Sequence, residues 1–401
     1  MPAPSEVHPL ARTPEEWAAK APELGAKPYH GKQIFRWLHN RGVLDPEAMS
    51  DLPKPVRAKL AECKFEEVLR VTTVQRSTDN TRKLLVTMAD GATVETVLIP
   101  SISGRGKGSP LAPSHALDAE SLSDADSVED DEGDADDEKS LGLESKERIR
   151  VTQCISTQVG CAMGCVFCAS GVAGLKRHMR SDEIVAQVLA GRAALDEGEE
   201  LRNIVFMGMG EPLHNYESTA RTLKLLTHPD GISISPRRIT VSTSGLVPEI
   251  KRLGEDFKGM VGLAISLHAP DDTSRSSLMP INRKYPLAEL MKALRAYPLP
   301  KRRRITIEYT LVSGRNDTTT EAKKVAALLR GIPVKINLIP MNPIQDSTLG
   351  PPDFSRVFEF QRVLTDAGYS CFIRRRRGDD VSAACGQLAI LGAKRKVRLV
   401  S

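Results

Sequence analysis

The sequence is poor in aromatic residues and lacks any long uncharged hydrophobic run. Phe, Trp and Tyr make up only 4% of the 401 residues, which disfavours a nucleic-acid site that stacks successive bases on aromatic rings. No stretch is long and apolar enough to span a membrane, so no membrane contact is predicted. Residues 1–8 do not combine a charged region with an apolar core, as a secretory leader would. We therefore expect a cytoplasmic protein whose thiols stay reduced.

Acidic residues are outnumbered by basic residues outside one segment, and the negative charge of that segment hides a large positive excess. The net charge is +5, but residues 118–138 contain 12 Asp and Glu and no Lys or Arg, so the rest of the chain carries +17. Basic runs occur at residues 301–304, 374–377 and 394–396. Each run alone could be solvated surface. Together with the positive excess they favour a polyanionic partner, and a nucleic acid in particular.

Changes in composition along the chain divide it into segments. Thr13-Pro14-Glu15-Glu16 is a helix start, and Asp90-Gly91 between two β-rich runs is a hairpin turn. The Ser-, Gly- and acid-rich stretch after residue 100 cannot bury enough apolar surface to fold. The predicted segments are a small helical domain over 1–75, a β-hairpin over 76–100, an acidic disordered insertion over 101–147, a large α/β domain over 148–393 and a basic tail over 394–401.

From residue 149 onward, apolar strands alternate with helical stretches such as Ser181–Ala194. Near-continuous apolar strands separated by helices predict a parallel sheet covered on its faces, either barrel-like or open. The predicted strands are 203–207, 238–242, 262–267, 304–309, 334–339 and 370–373. In either arrangement, the binding residues should lie at the carboxyl ends of the strands.

Three of the seven cysteines form a compact CxxxCxxC cluster at Cys161, Cys165 and Cys168. Thiols in this pattern bind zinc with a distant fourth ligand, form disulfides, or hold an iron–sulfur cluster. Reducing conditions disfavour disulfides. Spacing alone leaves zinc and iron–sulfur open, although a set of three protein ligands would leave one iron position available for chemistry.

Small polar residues follow four of the predicted strands. These strand ends are Gly208-Met209-Gly210-Glu211-Pro212, Ser242-Thr243-Ser244-Gly245, Ser266-Leu267-His268-Ala269 and Leu338-Ile339-Pro340-Met341-Asn342-Pro343. They predict one pocket for a small ligand rich in hydroxyl, amino and carboxylate groups. Each has a plainer interpretation as well: a glycine turn commonly punctuates a loop, and His268 could be a structural histidine.

Taken together, the motifs resemble the radical S-adenosylmethionine (SAM) RNA methyltransferases that act on adenine C2 of both ribosomal and transfer RNA. The matching motifs are the CxxxCxxC cluster, the GMGEP turn at 208–212, the SLHAP strand end at 266–270 and the GDDVSAACGQL segment at 378–388. The resemblance covers nearly the whole chain and is absent only over the acidic insertion. The resemblance implies an α/β fold, a partial (β/α)6 radical SAM barrel with a small N-terminal helical domain that assists RNA binding and a connecting β-hairpin.

The resemblance also implies two cofactors. Cys161, Cys165 and Cys168 would hold a [4Fe-4S] cluster whose open iron binds the amino and carboxylate groups of SAM, which reduces zinc to a minor interpretation. The residues that match the family's SAM contacts are Gly210, Glu211, Ser242, Ser266, Leu267, His268 and Asn342.

Adenine C2 is not nucleophilic, so a radical route is a physical answer to its methylation. In the family, a first SAM methylates a cysteine, here Cys385. A deoxyadenosyl radical from a second SAM takes hydrogen from that methyl, and the carbon radical adds to the base. The resemblance implies that Glu95 then accepts a proton and that Cys154 releases the product through a transient disulfide with Cys385. Cys63 and Cys371 match no catalytic position and are interpreted as packing residues.

Simpler interpretations remain for the three catalytic candidates. Cys154 could be a fourth metal ligand or an inert buried thiol, Cys385 a small packed residue, and Glu95 a solvated strand residue. The rival functions are an adenine-C8 methyltransferase, against which the GMGEP and SLHAP forms argue, and a zinc-stabilised RNA-binding assembly factor without catalysis. The implied partners are 23S ribosomal RNA, transfer RNA and an electron donor such as flavodoxin, with the protein acting as a monomer. The acidic insertion should loop away from the RNA, because its charge repels phosphates.

Overall fold

The structure is a computed structural model that describes residues 7–101, 148–344, 347–374 and 376–388. All of the predicted acidic insertion except Ser101, and the whole predicted basic tail, lie outside the described residues.

The described chain begins with a small helical unit. The N-cap of its first helix is Thr13, whose hydroxyl accepts a hydrogen bond from the Glu16 amide while the Glu16 carboxylate accepts one from the Thr13 amide. Its helices are α1 (Pro14–Lys20), α2 (Tyr29–Phe35) with a following π-helical turn (Arg36–Asn40), and α3 (Lys54–Ala61), joined by short 3-10 turns. Trp17 and Phe35 are fully buried in its core, which extends onto Val185 of the large domain. The unit is therefore packed against the rest of the chain.

Next come three antiparallel strands. They are β1 (Leu69–Arg76), β2 (Arg82–Met88) and β3 (Thr93–Pro100). The predicted hairpin around Asp90-Gly91 is confirmed as β2 and β3, and Gly91 adopts a φ of 80° in the turn. The structure differs from the prediction in one respect: β1 begins at Leu69, inside the segment predicted to be helical. The predicted boundary at residue 75 missed it because the strand is almost wholly exposed and so shows no alternating burial.

Seven parallel strands continue the same sheet. They are β4 (Ile149–Cys154), β7 (Glu199–Phe206), β8 (Ile239–Thr243), β9 (Gly262–Ser266), β10 (Ile305–Leu311), β11 (Val334–Pro340) and β12 (Ser370–Ile373). All six predicted strands are present, and β4 adds a seventh. The sheet follows chain order from β1 to β12, with β3 antiparallel to β4, so the parallel part is an open barrel. A separate ribbon pairs β5 (Gln158–Val159) with β6 (Arg177–His178).

Helices follow the parallel strands and bury their apolar faces in the core that the sheet shares. They are α4 (Ala169–Ala173), α5 (Ser181–Ala193), α6 (Tyr216–Thr227), α7 (Val247–Phe257), α8 (Asp272–Leu278), α9 (Leu287–Arg295), α10 (Thr319–Leu328) and α11 (Phe354–Asp366). Ile250 and Leu253 of α7 and Leu290 and Leu294 of α9 illustrate the helical spacing of buried positions. Within the described ranges, no helix combines the length and apolarity needed to cross a bilayer.

The last described segment, residues 376–388, is called the C-terminal loop here. At one end it is bound to the β1–β2 turn, where the Asp79 carboxylate accepts a hydrogen bond from the Gly378 amide at 3.1 Å. At the other end it is bound to the loop after β11, where the Asn342 side chain donates to the Cys385 carbonyl at 2.9 Å. The loop thus places Cys385 beside the carboxyl ends of the parallel strands.

Candidate active site

The three clustered cysteines line one wall of a cleft at the carboxyl ends of the parallel strands. The cleft has a volume of about 910 Å³, part of it open to solvent. The loop between the thiols turns at Gly164, whose φ is 67°. It packs so closely that a side chain at Gly171 would lie 2.9 Å from the Cys165 amide nitrogen. Local backbone sterics therefore fix where the thiols point.

The electrostatics of these thiols favour a metal centre. Burial raises the pKa of Cys161 to about 12 and also raises the pKa values of Cys165 and Cys168, and the mutual proximity of the three sulfurs adds to the effect. Three neighbouring thiolates repel one another unless a cationic centre compensates their charge. The donor set and its burial therefore fit an iron–sulfur cluster.

The zinc interpretation receives no such support. Within the described ranges, no group of three or more His, Cys, Asp or Glu side chains is arranged to hold one metal ion. A structural zinc site needs four ligands around a single ion. A four-iron cluster makes a different demand, because each thiolate binds a separate iron.

Six of the seven predicted SAM-binding residues line the same cleft. They are Gly210, Glu211, Ser242, Ser266, His268 and Asn342. The exception is Leu267, which is fully buried and contributes only backbone atoms to the site: its carbonyl accepts a hydrogen bond from Arg275 at 3.0 Å. Gly210 has a φ of 104°, and a Cβ there would lie 2.6 Å from the Gln158 side chain, so only glycine fits.

Glu211 is a buried carboxylate whose position the backbone fixes. Its two oxygens accept hydrogen bonds from the amides of Leu213, at 3.1 Å, and Ser244, at 2.7 Å. Burial raises the pKa of Glu211, which means that ionising it in the empty cleft is unfavourable. A cationic ligand group would reverse that balance, and an ammonium group suits it.

His268 holds a strained backbone conformation at the end of β9, with a φ of 57°. Its Nδ1 accepts a hydrogen bond from the Thr310 amide at 2.9 Å, so Nε2 carries the proton in the neutral ring. Burial lowers its pKa to about 3. His268 is therefore a neutral hydrogen-bond donor at the cleft, where it also contacts the edge of Phe167.

Two residues of this site have no counterpart in the sequence prediction. Arg275 of α8 is fully buried and donates to the carbonyls of Ser244, at 2.7 Å, and Ser266, at 3.0 Å, which joins the ends of β8 and β9. Glu308 of β10 is buried in the cleft wall; its Oε2 lies 3.8 Å from the Arg374 guanidinium, an ion pair, but has no hydrogen-bond partner among the described residues. An acid inside an otherwise apolar strand was the available signal for Glu308, whereas Arg275 has no motif around it.

Orphaned polar atoms mark the cleft as a ligand site. Besides Glu308, the buried Ser244 hydroxyl and the Asn342 carbonyl oxygen have no hydrogen-bond partner within the described ranges. Buried polar groups are nearly always hydrogen-bonded, so several unsatisfied atoms in one cavity call for a polar ligand. A ligand with hydroxyl and amino groups would satisfy them.

Cys154 and Cys385 line a second cavity that adjoins the first. Its volume is about 630 Å³, and Asn342 and Arg374 line both cavities. Burial raises the pKa of Cys154 to about 12, with the nearby Cys385 thiol adding to it. Cys385 is exposed, and all seven cysteines are free thiols. Because Cys154 does not line the cleft with the clustered cysteines, its interpretation as a fourth metal ligand has no support.

Glu95 lies on the same face of the sheet as Cys154. In the strand register Leu85 is paired with Glu95 and Val97 with Cys154, and residues two apart on a strand share a face. Glu95 is only 6% exposed, so the solvated interpretation is wrong. The Lys83 ammonium lies 3.0 Å from its carboxylate, an ion pair that the sequence did not reveal.

The two described basic runs lie at different places. Residues 301–304 precede β10 and therefore lie at the amino ends of the strands, away from the cleft. Arg374, Arg376 and Arg377 line the second cavity. Of these, Arg377 is largely engaged within the protein: it pairs with Asp79 at 3.2 Å and donates to the Pro100 carbonyl at 2.7 Å. Charge clustering in the sequence did not distinguish these environments.

Comparison with known proteins gives consistent matches along the chain. The family model for the Radical SAM superfamily matches residues 155–324, and that for the ribosomal RNA large subunit methyltransferase N-terminal domain matches residues 14–65. A dual-specificity RNA methyltransferase RlmN from Sorangium cellulosum (strain So ce56) is 66% identical, covering 98% of each chain. The protein of the same name from Geobacter sulfurreducens is 43% identical, covering 91% of this chain and 87% of its own.

A solved structure agrees with these matches. The crystal structure of a radical SAM methyltransferase from Sphaerobacter thermophilus is 39% identical and superposes with a TM-score of 0.80, covering 95% of this chain and 99% of its own. The similarity therefore includes the small helical unit, the antiparallel strands and the parallel sheet.

Proposed function

Since the chain belongs to the RlmN family of radical SAM RNA methyltransferases, we propose that it methylates carbon 2 of adenine in 23S ribosomal RNA and in transfer RNA. Its fold is the radical SAM α/β fold, and its cofactors are a [4Fe-4S] cluster and SAM. Together these supply a one-electron cleavage of SAM that yields a deoxyadenosyl radical. Cys161, Cys165 and Cys168 would hold the cluster. Glu211, with the other cleft residues named above, would bind SAM.

In this proposal, Cys385 carries the methyl group to the base. It is the one cysteine whose side chain is exposed, and it lies between the cleft and the second cavity. A thiol at that junction can receive a methyl from SAM in the cleft and then meet a base that enters from the other side. This placement is the single observation that supports the proposal most strongly.

Glu95 and Cys154 would release the product. After the radical adduct has given back the single electron that was used to cleave SAM, the carboxylate of Glu95 would accept the proton from C2 of the methylene-bridged adduct. The Cys154 thiolate would then attack the Cys385 sulfur and form a disulfide. The bond between Cys385 and the bridging carbon would break with its electron pair going to that carbon, which takes up a proton to become the methyl group. The common sheet face of Glu95 and Cys154, and the cavity that Cys154 shares with Cys385, support this assignment.

RNA is the substrate class of the family. We propose that the protein acts as a monomer in the cytoplasm, that the small helical domain predicted over residues 1–75 assists RNA binding, and that a small redox protein such as flavodoxin supplies the electron. The match of residues 14–65 to an N-terminal domain of ribosomal RNA methyltransferases supports the second of these assignments.

Mass spectrometry tests the methyl-carrier role. In protein purified without oxygen and supplied with SAM, the peptide that contains Cys385 should gain one methyl group, and Cys161→Ala should abolish the gain. Cys63→Ala is the matched control, because Cys63 lies in the helical unit, outside both cavities. An unmodified Cys385 in protein with a full iron–sulfur complement would refute the proposal.

Analysis of the RNA product tests the position of methylation. Nucleosides from RNA treated with the protein should contain 2-methyladenosine, in both ribosomal and transfer RNA substrates. Exclusive 8-methyladenosine would instead identify the adenine-C8 reaction. Methylation of ribosomal RNA alone would remove the transfer RNA assignment and leave the chemistry unchanged.

A further inference from the structure

Lys83 connects the predicted proton acceptor to the segment that carries the methyl. Its ammonium nitrogen lies 3.0 Å from a carboxylate oxygen of Glu95 and 3.5 Å from the backbone carbonyl of Ser382 in the C-terminal loop. Both side chains of the ion pair are nearly buried, with exposed fractions of 11% for Lys83 and 9% for Glu95. An ion pair so far removed from solvent holds its geometry more firmly than a surface pair.

The strand register explains why these groups meet. Lys83 in β2 is paired with Val97 in β3, and Val97 is in turn paired with Cys154 in β4. The three residues form one row across the sheet, so their side chains lie on one face. Glu95, two residues before Val97, lies on that face as well. The lysine is therefore on the same side as both residues of the release step.

The C-terminal loop follows a tightly determined path where Lys83 contacts it. Ser382 has a φ of 50°, which is rare for a residue with a side chain. A side chain at Gly378 would lie 2.7 Å from the Cβ of Ala383, so neighbouring turns of the loop are in close contact. Ser382 is three residues from Cys385. A displacement at Ser382 would therefore move the Cys385 sulfur.

We propose that Lys83 is a positioning residue for product release. Its ammonium binds both the Glu95 carboxylate and the Ser382 carbonyl, and so keeps the Glu95 carboxylate at a fixed place relative to Cys385. This inference rests on the proposed function, in which Glu95 accepts the proton of the adduct. Neither Lys83 nor Glu95 is among the residues that line the cleft or the second cavity. The ammonium of Lys83 is bound by the Glu95 carboxylate and the Ser382 carbonyl, so it acts on the reaction through Glu95 and the loop.

The steps of the reaction should differ in their sensitivity to Lys83. Methylation of Cys385 and cleavage of SAM depend on groups at the cleft, whereas proton removal depends on where the Glu95 carboxylate lies. Loss of the ammonium should therefore slow release without slowing the earlier steps, and the covalent protein–RNA adduct should accumulate. We expect release to slow by about tenfold to a hundredfold, which corresponds to the free energy of one hydrogen bond to a charged group.

The test compares Lys83→Met, Lys83→Arg and Glu95→Gln in the full chain with its cluster assembled. Three quantities are measured: the methyl on Cys385, the deoxyadenosine formed, and the fraction of RNA covalently bound to protein on a denaturing gel. Lys324→Met is the matched control, because Lys324 forms an exposed ion pair with Asp271, at 3.7 Å, and lines neither cavity. We expect adduct accumulation with Lys83→Met and Glu95→Gln, near-normal release with Lys83→Arg, and no change with Lys324→Met.

Each alternative result has a definite meaning. Normal release by Lys83→Met, alongside accumulation by Glu95→Gln, would overturn the role of Lys83 and leave the proposed function intact. Loss of the Cys385 methyl in both Lys83 variants would show a merely structural role and would also overturn it. Absence of the adduct in Glu95→Gln, with Cys385 methylated, would refute the assignment of Glu95 as the proton acceptor. The inference about Lys83, which depends on that assignment, would then be refuted as well.

Discussion

The two halves of the ten-stranded sheet present their candidate functional residues in different ways. In the parallel half, the residues of the cleft cluster at the carboxyl ends of the strands, either in the last positions of a strand, as Ser242 and Ser266, or just after it, as Ser244 and His268. In the antiparallel half, Lys83 and Glu95 lie within β2 and β3 and project from the face of the sheet. A strand end exposes polar backbone and suits ligand binding, whereas a strand face brings a charged side chain into the interior.

The two halves also stabilise a buried carboxylate differently. Backbone amides of Leu213 and Ser244 hold Glu211, but the side chain of Lys83 holds Glu95. Backbone donors are fixed by the fold itself, and a side-chain partner can be removed by one substitution. We therefore expect the SAM cleft to be robust to single side-chain changes around Glu211, and the release site to be sensitive to them.

Loss of a cluster ligand should have the largest effect, because it removes the proposed reaction at the cleft and leaves nothing for the release site to act on. Cys161→Ala should remove the visible iron–sulfur absorption and most of the bound iron, because two remaining thiolates cannot replace the set of three. Methylation of Cys385 should fall below detection, whereas Glu95→Gln keeps it. The reaction would then fail at the cleft of the parallel half, before the step assigned to Glu95 in the antiparallel half. Retention of iron and of the Cys385 methyl in Cys161→Ala would contradict the assignment of the cluster loop.

Arg275 should matter next, because it joins two strand ends of the parallel half. Arg275→Met leaves the carbonyls of Ser244 and Ser266 unpaired in the interior, and the free energy of unfolding should fall by about 2–5 kcal/mol. Urea unfolding without SAM measures it. Arg252→Met, which removes an exposed arginine paired with Glu217, should leave the midpoint almost unchanged. Equal shifts in the two variants would mean that Arg275 is not the element that joins the strand ends.

The buried His268 of the parallel half should make the free energy of unfolding decrease in acid. Burial lowers its pKa to about 3 from an ordinary value of 6.5, so the unfolded chain binds a proton that the folded protein does not. Its contribution to stability is complete above about pH 6.5 and falls by about 1.4 kcal/mol for each pH unit as the pH decreases toward 3.

His268→Asn should flatten this dependence. Asparagine tolerates the left-handed backbone and offers an oxygen to the Thr310 amide. Unfolding free energies of parent and variant, measured between pH 7 and pH 5, give the comparison. Parallel pH profiles for the two proteins would count against a buried neutral histidine.

The smallest effect concerns RNA affinity at the two ends of the parallel strands. Arg376→Gln, at the second cavity, should weaken RNA binding and reduce the salt dependence of the binding constant by about one ion. Lys301→Gln removes the same charge at the amino end of β10 and should leave affinity nearly unchanged. Binding titrations at several salt concentrations measure both. Equal losses in the two variants would mean that the RNA contacts both ends of the sheet.

Sequence patterns predicted the parallel half well, and the reason is physical. Six of its seven strands are short apolar runs and were predicted from them, and small polar residues follow four of the six. The missed strand, β4, has Arg150, Thr152 and Gln153 among its six residues and so lacks the apolar run. The thiol cluster and the glycine turn were found because their chemistry requires fixed spacing.

The antiparallel half was predicted less completely. The hairpin of β2 and β3 has a turn signal at Asp90-Gly91, but no such signal precedes β1. Seven of the eight residues of β1 are exposed, so no buried face marks it as a strand either. The burial of Glu95 and its pairing with Lys83 depend on strand register, which a single sequence does not determine. Arg275 was missed for a related reason: its partners are backbone carbonyls of Ser244, Ser266 and Leu267, and a carbonyl has no sequence signature.

The attachment of the C-terminal loop to the β1–β2 turn also affects how the protein is made. Asp79 and Gly378 are 299 positions apart in the chain, and Thr78 and Asp380 are 302 apart. Contacts between such distant residues form late in folding, because a large loop must close before they stabilise anything. During synthesis, the helical unit and the first strands leave the ribosome long before Cys385 exists. The Cys385 thiol therefore takes its place last, when all the other parts of the proposed site have already been synthesised.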